Sequence, residues 1–384
     1  MALSLVRAEP APPADALAVG RLRLRDFRNY ATLGLEPAGL PVVLHGSNGA
    51  GKTNLLEAVS MLAPGRGLRG ARLAEMDRHG GGPWSLTALV TGREGPLEIA
   101  TARDAASERR TVRLEGGSAR SSASLARHVG MVWLTPAQDR LFQDAPSARR
   151  RFLDRLVVTV TPEHARQLGA YERALRERSL MLREGRADPA WLAAIETRLA
   201  AAGVAVAAAR RDLVAGLARA LAEPQDAFPA PLLALAGEVE GWLAEGPALA
   251  AEQRLAEALK ASRGLDAQTG GAAVGPHRTD LAVRDGETGT AAAQCSTGRQ
   301  KALLLSIVLA EARLRRERLG ELPVMLLDEV AAHLDQQRRG ELFEALHTLG
   351  AQCWLTGTEP SLFTGLRRRA RFLHVHEATV DHDD

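Results

Sequence analysis

The stretch Val42 to Thr53, V-V-L-H-G-S-N-G-A-G-K-T, combines residue types suited to holding a polyphosphate. Gly46, Ser47, Asn48, Gly49, Ala50 and Gly51 make a glycine-rich loop whose backbone N–H groups can approach phosphate oxygens closely. The helix expected from Thr53 to Leu62 would turn its positive end toward the same oxygens. Lys52 supplies a cation for the β- and γ-phosphates, and Thr53 supplies a hydroxyl for Mg2+. ATP with Mg2+ is therefore the expected ligand. A glycine turn beside a surface lysine would leave the preceding apolar run Val42–Leu44 unexplained.

A second half of such a site is expected far along the chain. Leu322 to Leu327 is an apolar run that ends in Asp328-Glu329, as a buried strand presenting carboxylates at its carboxyl end would. Asp328 is expected to hold Mg2+ through water, and Glu329 to polarise and deprotonate the attacking water. Before it stands Ser296-Thr297-Gly298-Arg299-Gln300, at the start of a helix expected over Lys301 to Arg318. Alone this would be an ordinary helix cap. Between the two halves of a nucleotide site it reads as the signature turn of an ABC-type ATPase. There Ser296, Gly298 and Gln300 would meet a γ-phosphate held by another subunit through amide donors and the helix dipole. Ala332-His333-Leu334-Asp335 would be the loop through which two such subunits touch.

These residues need an α/β frame. Leu22 to Phe27 alternates apolar and charged residues with period two and predicts a strand. Trp84–Val90, Leu97–Ala102 and Thr111–Leu114 alternate likewise between Gly/Glu turns, predicting an antiparallel sheet beside the nucleotide core. Met131–Leu134 would return to the main sheet, and Leu281–Val283 would form a hairpin with Ala291–Ala293. From Ser147 apolar residues such as Leu168, Tyr171, Leu175, Ile195, Leu199 and Val206 recur at helical spacing, without the sustained heptads of a long coiled coil. The expected fold is an ABC-type P-loop ATPase core (21–146 and 266–384), with an adjoining antiparallel sheet, a helical lobe inserted at 147–265 and a disordered tail at 1–20.

Composition limits the partners. The chain has 384 residues, 46% of them hydrophobic, and a formal net charge of +3. No apolar run is expected to cross a bilayer, and the start lacks the basic-then-apolar order of a secretory signal. Cys295 and Cys353 stand far apart without a C-x-x-C spacing, which fits a reducing cytoplasm. A net charge of +3 does not itself argue for nucleic acid, so any DNA contact must rest on local patches. The candidates are Arg149, Arg150 and Arg151, with Arg66 and Arg69 in the G-R-G-L-R-G connection as a second patch.

Taken in order, R-D-F-R-N-Y (Arg25–Tyr30), the phosphate loop, P-S-A-R-R-R-F-L-D (Pro146–Asp154), G-P-H-R-T-D-L (Gly275–Leu281), S-T-G-R-Q and L-L-D-E resemble the RecF family of bacterial recombination and repair ATPases. The resemblance spans Leu22 to His376, and R-R-R-F-L-D with G-P-H-R-T-D-L is specific to it. It implies a DNA-binding ATPase that forms an ATP-dependent homodimer around two nucleotides and hydrolyses ATP slowly. It also implies action on single-stranded, duplex or gapped DNA, with RecO and RecR as partners in loading recombinase. By the same resemblance Gln138 would be the metal-sensing glutamine. The chain departs from the family pattern at Cys295, usually leucine, and at Thr135–Asp139, which lacks an acidic pair. A switch histidine is missing at Leu355–Thr358, where Thr356 or Thr358 would have to sense the γ-phosphate.

Overall fold

The computed structural model describes residues 15–119, 121–185, 188–222, 228–332 and 334–383. In chain order, β1 (Ala18–Phe27), β2 (Tyr30–Leu35) and β3 (Val42–His45) precede α1 (Lys52–Ser60). Five strands follow: β4 (Ser85–Gly92), β5 (Gly95–Asp104), β6 (Arg109–Leu114), β7 (Gly117–Ala119) and β8 (Met131–Leu134). Next come α2 (Pro146–Val160), α3 (His164–Glu184), α4 (Pro189–Ala222), β9 (Pro231–Ala236), α5 (Glu238–Glu245), α6 (Ala248–Ala261), α7 (Arg263–Thr269), β10 (Asp280–Asp285) and α8 (Thr297–Leu319). The chain closes with β11 (Val324–Leu327), α9 (Gln336–Leu349), β12 (Cys353–Gly357), β13 (Arg371–His376) and β14 (Thr379–His382).

Two compact units result, one formed by Met1–Pro136 with Arg315–Asp384 and the other by Ala137–Leu314. The first holds two six-stranded sheets. One is antiparallel throughout, in the order β2-β1-β4-β5-β6-β7. The other runs β14-β13-β3-β12-β11-β8 and is parallel except at its β13–β14 edge. The all-apolar Val324–Leu327 and Met131–Leu134 are buried along their whole length, as strands covered on both faces must be. One apolar cluster joins Leu22 and Leu24 of β1, Leu55 and Leu56 of α1, and Trp354 and Leu373 of the parallel sheet. The side-chain amide of Gln352 exchanges hydrogen bonds with the N–H and carbonyl of Val19, at 2.8 and 3.1 Å, and tethers β1 to the residue before β12.

Of the tail expected over residues 1–20, residues 1–14 lie outside the described residues and the rest is ordered. Ala16 bridges Leu322, the Leu17 N–H reaches the Leu322 carbonyl at 3.1 Å, and β1 has begun by Ala18. Burial of Ala16, Leu17, Ala18 and Val19 drives this. The predicted hairpin of Leu281–Val283 with Ala291–Ala293 is also replaced. The partner of β10 is β9, in register from Asp280↔Ala236 to Asp285↔Pro231, while Ala291 keeps one isolated bridge to Arg284. P-L-L-A-L-A offers a full apolar partner strand that tolerates Pro231 at its first position, whereas Ala292–Gln294 coils into a 3-10 turn.

The second unit contains all of 147–265 together with β10 and the signature turn. Contrary to the expectation from sequence, α4 is long and apolar enough to cross a membrane by length and composition. Here it is the central helix of the unit. Ile195, Leu199, Val206 and Ala207 pack with Tyr171 of α3 and Leu255 of α6, and buried Glu196 and Arg210 on the same helix take part in ion pairs. Arg178, fully buried, donates to Glu196 at 2.9 Å, Asp266 at 2.7 Å and the Leu259 carbonyl at 2.6 Å, joining α3, α4, α6 and α7.

The two family-specific motifs meet in this unit. Arg149 makes a two-pronged ion pair with Asp280 at 2.7 and 2.8 Å, and Arg150 donates to the Thr279 carbonyl at 2.8 Å. Asp154 accepts two bonds from Arg210, both 2.8 Å, and stands 2.9 Å from His164 Nε2, while Arg210 also donates to the Pro276 carbonyl. Burial alone would raise the Asp154 pKa, but the Arg210 charge and the His164 hydrogen bond hold it below the ordinary carboxylate range. Its contribution to stability is thus fully present above the unfolded aspartate value of about 3.9 and is lost as pH falls through the lower folded value. Asp154→Asn should cost about 3 kcal/mol at pH 7 by removing the two-pronged partner of buried Arg210 and leaving it only the more distant Glu240 carboxylate at 3.9 Å. In urea unfolding the gap to wild type should close only below about pH 4, and equal midpoints at pH 7 would remove this role.

Candidate nucleotide site

The phosphate loop leaves β3 and enters α1 within the first unit, as its apolar and glycine patterns require. Gly46 has φ 144°, and a Cβ there would stand 2.2 Å from the Val375 carbonyl oxygen of the neighbouring β13. Gly51 has φ 121°, and a Cβ there would strike Asn29 Nδ2 at 2.6 Å and Tyr30 Oη at 2.7 Å. Only glycine fits either place without strain. Ser47, Asn48 and Gly49 are the exposed tip, and Ala50 is buried.

Lys52 folds over its own loop and donates to the Gly46 carbonyl at 2.6 Å and the Ser47 carbonyl at 2.8 Å. Burial lowers its pKa, against the pull of Glu329 and Asp328. Thr53 Oγ1 donates to the Asp328 carboxylate at 3.0 and 3.1 Å. The parallel register Leu327↔Leu355 on one side of β11 and Leu327↔Leu134 on the other fixes where Asp328 emerges. Thr356, one step beyond Leu355, donates its hydroxyl to Asp328 Oδ1 at 2.7 Å and accepts the Glu329 N–H at 2.8 Å. Glu329 itself has φ 50°, a left-handed conformation rare outside glycine and asparagine, held by that bond. Burial raises the Asp328 pKa, and the Thr356 and Thr53 hydroxyls draw it back only in part.

The structure thus brings Lys52, Thr53, Asp328, Glu329 and Thr356 to one point at the carboxyl ends of β3, β11 and β12. Thr356, like Thr53, is bonded to the Asp328 carboxylate. A buried carboxylate with a raised pKa beside a threonine hydroxyl has the donor set of a Mg2+ site and gains from a cation. Sequence reasoning assigned no role to Asn29 and Tyr30, although R-D-F-R-N-Y contained them. Asn29 Nδ2 donates to the Ala50 carbonyl at 3.2 Å and Tyr30 Oη to the Gly51 carbonyl at 3.1 Å. Arg69 donates to Asn54 at 2.8 Å and, with Arg28, to the fully buried Glu57 of α1, whereas Arg66 is exposed.

In the second unit, Ser296 is exposed at the start of α8, Gly298 is half-buried and Gln300 is buried with its amide on the Cys295 carbonyl at 2.8 Å. Arg299 is drawn into a two-pronged pair with Asp285, whose pKa the guanidinium lowers to about 2. Gln138 lies in the 3-10 turn Pro136–Arg140. Within R-R-R, Arg149 is 13% exposed and occupied by Asp280, Arg150 is half-buried, and Arg151 is exposed. His333 of the A-H-L-D loop lies outside the described residues.

A family model described as the RecF/RecN/SMC N terminal domain matches residues 18–380. A DNA replication and repair protein RecF from Rhizobium etli (strain CIAT 652) is 46% identical over 369 residues, covering 95% of this chain and 98% of that protein. One from Rhizobium meliloti (strain 1021) is 47% identical over 366 residues, covering 94% and 97%. Among solved structures, one of the recombination mediator protein RecF-ATPrS in the RecFOR pathway superposes with a TM-score of 0.84 at 23% identity, over 98% of this chain and all (100%) of that one. An Smc head domain from Pyrococcus furiosus superposes with a TM-score of 0.53 at 12% identity, over 95% of each chain. The fold is that of the RecF and SMC head ABC-type ATPases, with its antiparallel sheet and helical region as expected from sequence.

The raised pKa of Asp328 yields a test that needs no ligand. A carboxylate whose folded pKa lies above its unfolded value favours folding below the unfolded value and loses that advantage as pH rises through the folded one. Asp328→Asn should therefore melt higher than wild type in metal-free buffer at pH 8, by about 2 °C or more, with the gap shrinking as pH is lowered toward 4. A lower melting temperature at pH 8 would mean that the two threonine bonds outweigh burial.

Proposed function

The chain belongs to the RecF family, and from that premise we propose that it is an ATP-dependent DNA-binding protein of recombinational repair and replication restart, at work in the cytoplasm. The observation that carries this reading is the convergence of Lys52, the Thr53–Asp328 bond and the Thr356-anchored Glu329 on one end of the parallel sheet. ATP binds through the amides of Gly46–Thr53, with Lys52 leaving the loop carbonyls for the phosphate oxygens. Thr53 and Asp328 would hold Mg2+, which would supply charge neutralisation across the phosphates, and Gln138 is assigned as the metal-sensing glutamine on the family resemblance alone. Glu329 accepts the proton of the attacking water, and the Thr356 bond to its N–H fixes where that base stands. Hydrolysis is slow and serves as a switch.

Ser296, Gly298 and Gln300 complete the site of a second copy, so ATP acts as a dimerising ligand by mass action. The exposed Ser296 at the start of the long α8 supports this, while the buried amide of Gln300 supports a role in holding the turn. In this organisation 21–146 with 266–384 is the ATPase core and 147–265 the helical lobe. DNA is bound through phosphate contacts, without base reading, and RecO and RecR are the partners in loading recombinase at single-strand gaps. Arg66 and Arg151 are the freest of the candidate arginines; Arg69 contributes through its exposed edge, and Arg149 and Arg150 hold α2 to β10.

Three variants in one set of measurements test the site. Lys52→Ala should stay folded and weaken ATP binding about a hundredfold. Glu329→Gln should bind normally, slow hydrolysis by about 10²-fold or more and accumulate as an ATP-bound dimer. Asp328→Asn should lose Mg2+-dependent binding and stay monomeric by light scattering. Normal hydrolysis by Glu329→Gln removes it from the base role, and equal dimer fractions with and without ATP refute assembly by nucleotide.

DNA binding should weaken steeply with salt and be indifferent to sequence. Reversing the charge of Arg66 and Arg151 together should reduce the salt slope by about 2 in a fluorescence titration with gapped DNA. An unchanged slope would leave both arginines as solvated surface.

A further inference from the structure

The helix that carries Lys52 and Thr53 is gripped at both ends by the antiparallel sheet. Asn29 and Tyr30 hold the carbonyls at its start. At its far end stands Arg110 of β6. Its Nη2 donates to the Met61 carbonyl, its Nη1 to the carbonyls of Ala63 at 3.1 Å and Gly65 at 3.0 Å, and its Nε to Thr101 Oγ1 at 2.9 Å. The last carbonyls of a helix have no partner within it, and a cation there also opposes the negative end of the dipole. Arg110 reaches the carbonyl of Met61, the residue that caps α1, and those of Ala63 and Gly65 in the segment after it, holding all three from one planar fork of fixed geometry.

Among the described residues Arg110 forms no ion pair, and burial alone brings its pKa down to about 10. Arg110 is a half-buried cation whose partners are three backbone carbonyls just past α1 and the Thr101 hydroxyl, with no carboxylate among them. Its position has a second effect. Gly65 opens the loop that carries Arg69, and the Leu68 N–H of that loop donates to Ser60 Oγ at 2.7 Å, so helix end and loop share one anchor. α1 is only 9 residues long. A shift at its end is passed to Lys52 along a short rigid rod.

We propose that Arg110 is a positioning residue of the nucleotide site, fixing the axis of α1 and the root of the 65–70 loop from the antiparallel sheet. This rests on the ATP reading above, and the test separates the two. Wild type, Lys52→Ala, Arg110→Met and Arg110→Lys are titrated as full chains with a fluorescent ATP analogue and Mg2+, and their KM and kcat are measured. Arg110→Met should keep its helix content and monomer size, weaken binding about tenfold and raise KM in parallel, with kcat changed by less than about twofold. Arg110→Lys, which keeps the charge but not the fork, should fall between them, about threefold weaker than wild type. Wild-type affinity in Arg110→Met, or in Arg110→Lys should the first not fold, overturns the proposal. If instead wild type bound no nucleotide, or Lys52→Ala bound as well as wild type, the ATP site itself would fall, and this role with it.

Discussion

The Asp328 carboxylate, buried and yet clasped by two threonine hydroxyls, is the interaction on which the site depends. Its three short contacts come from residues that are distant in sequence, and each requires a different piece of the fold. Thr53 needs the glycine loop to turn α1 back across the strand ends, Asp328 needs β11 to stop where it does, and Thr356 needs β12 to run one residue farther. A one-residue slip in any of these pairings would move a side chain to the opposite face of the sheet. The apolar runs of β3, β8, β11 and β12 are thus the reason that the chemistry has an address at all.

Much of that was legible beforehand. V-V-L-H-G-S-N-G-A-G-K-T and L-L-D-E announce themselves because apolar strands, glycines with positive φ and a following helix each leave a local trace. Met131–Leu134 and the three alternating strands were readable for the same reason. What stayed hidden is what no local pattern records. Nothing near Leu281 says that its partner is P-L-L-A-L-A, some fifty residues earlier. Nothing around Arg110 says that it ends on the carbonyls of another element. Nothing around Thr356 says that its hydroxyl ends on Asp328, which follows from the β11–β12 register.

The arginines carry a related lesson. R-R-R in P-S-A-R-R-R-F-L-D reads as a basic patch, but Arg149 is bound to Asp280 and Arg150 to the Thr279 carbonyl. The motif most specific to the family is therefore largely a joint, the place where α2 meets the G-P-H-R-T-D-L turn. Charge counted along a sequence overstates the charge available at a surface, because buried carboxylates such as Asp154, Glu57 and Glu196 draw cations inward.

The sheet order has a consequence for how the chain emerges from the ribosome. In the parallel sheet, β3 lies between β13 and β12, and β8 pairs only with β11. Neither of the early strands has an early neighbour. Until residue 324 has been made, V-V-L-H and M-V-W-L have no parallel partner, while the whole of Ala137–Leu314 is contiguous and can fold as a unit during synthesis. The nucleotide loop is thus translated early and assembled late, with M-V-W-L waiting through about two hundred residues of elongation and V-V-L-H through about three hundred, a period in which a chaperone has most to protect.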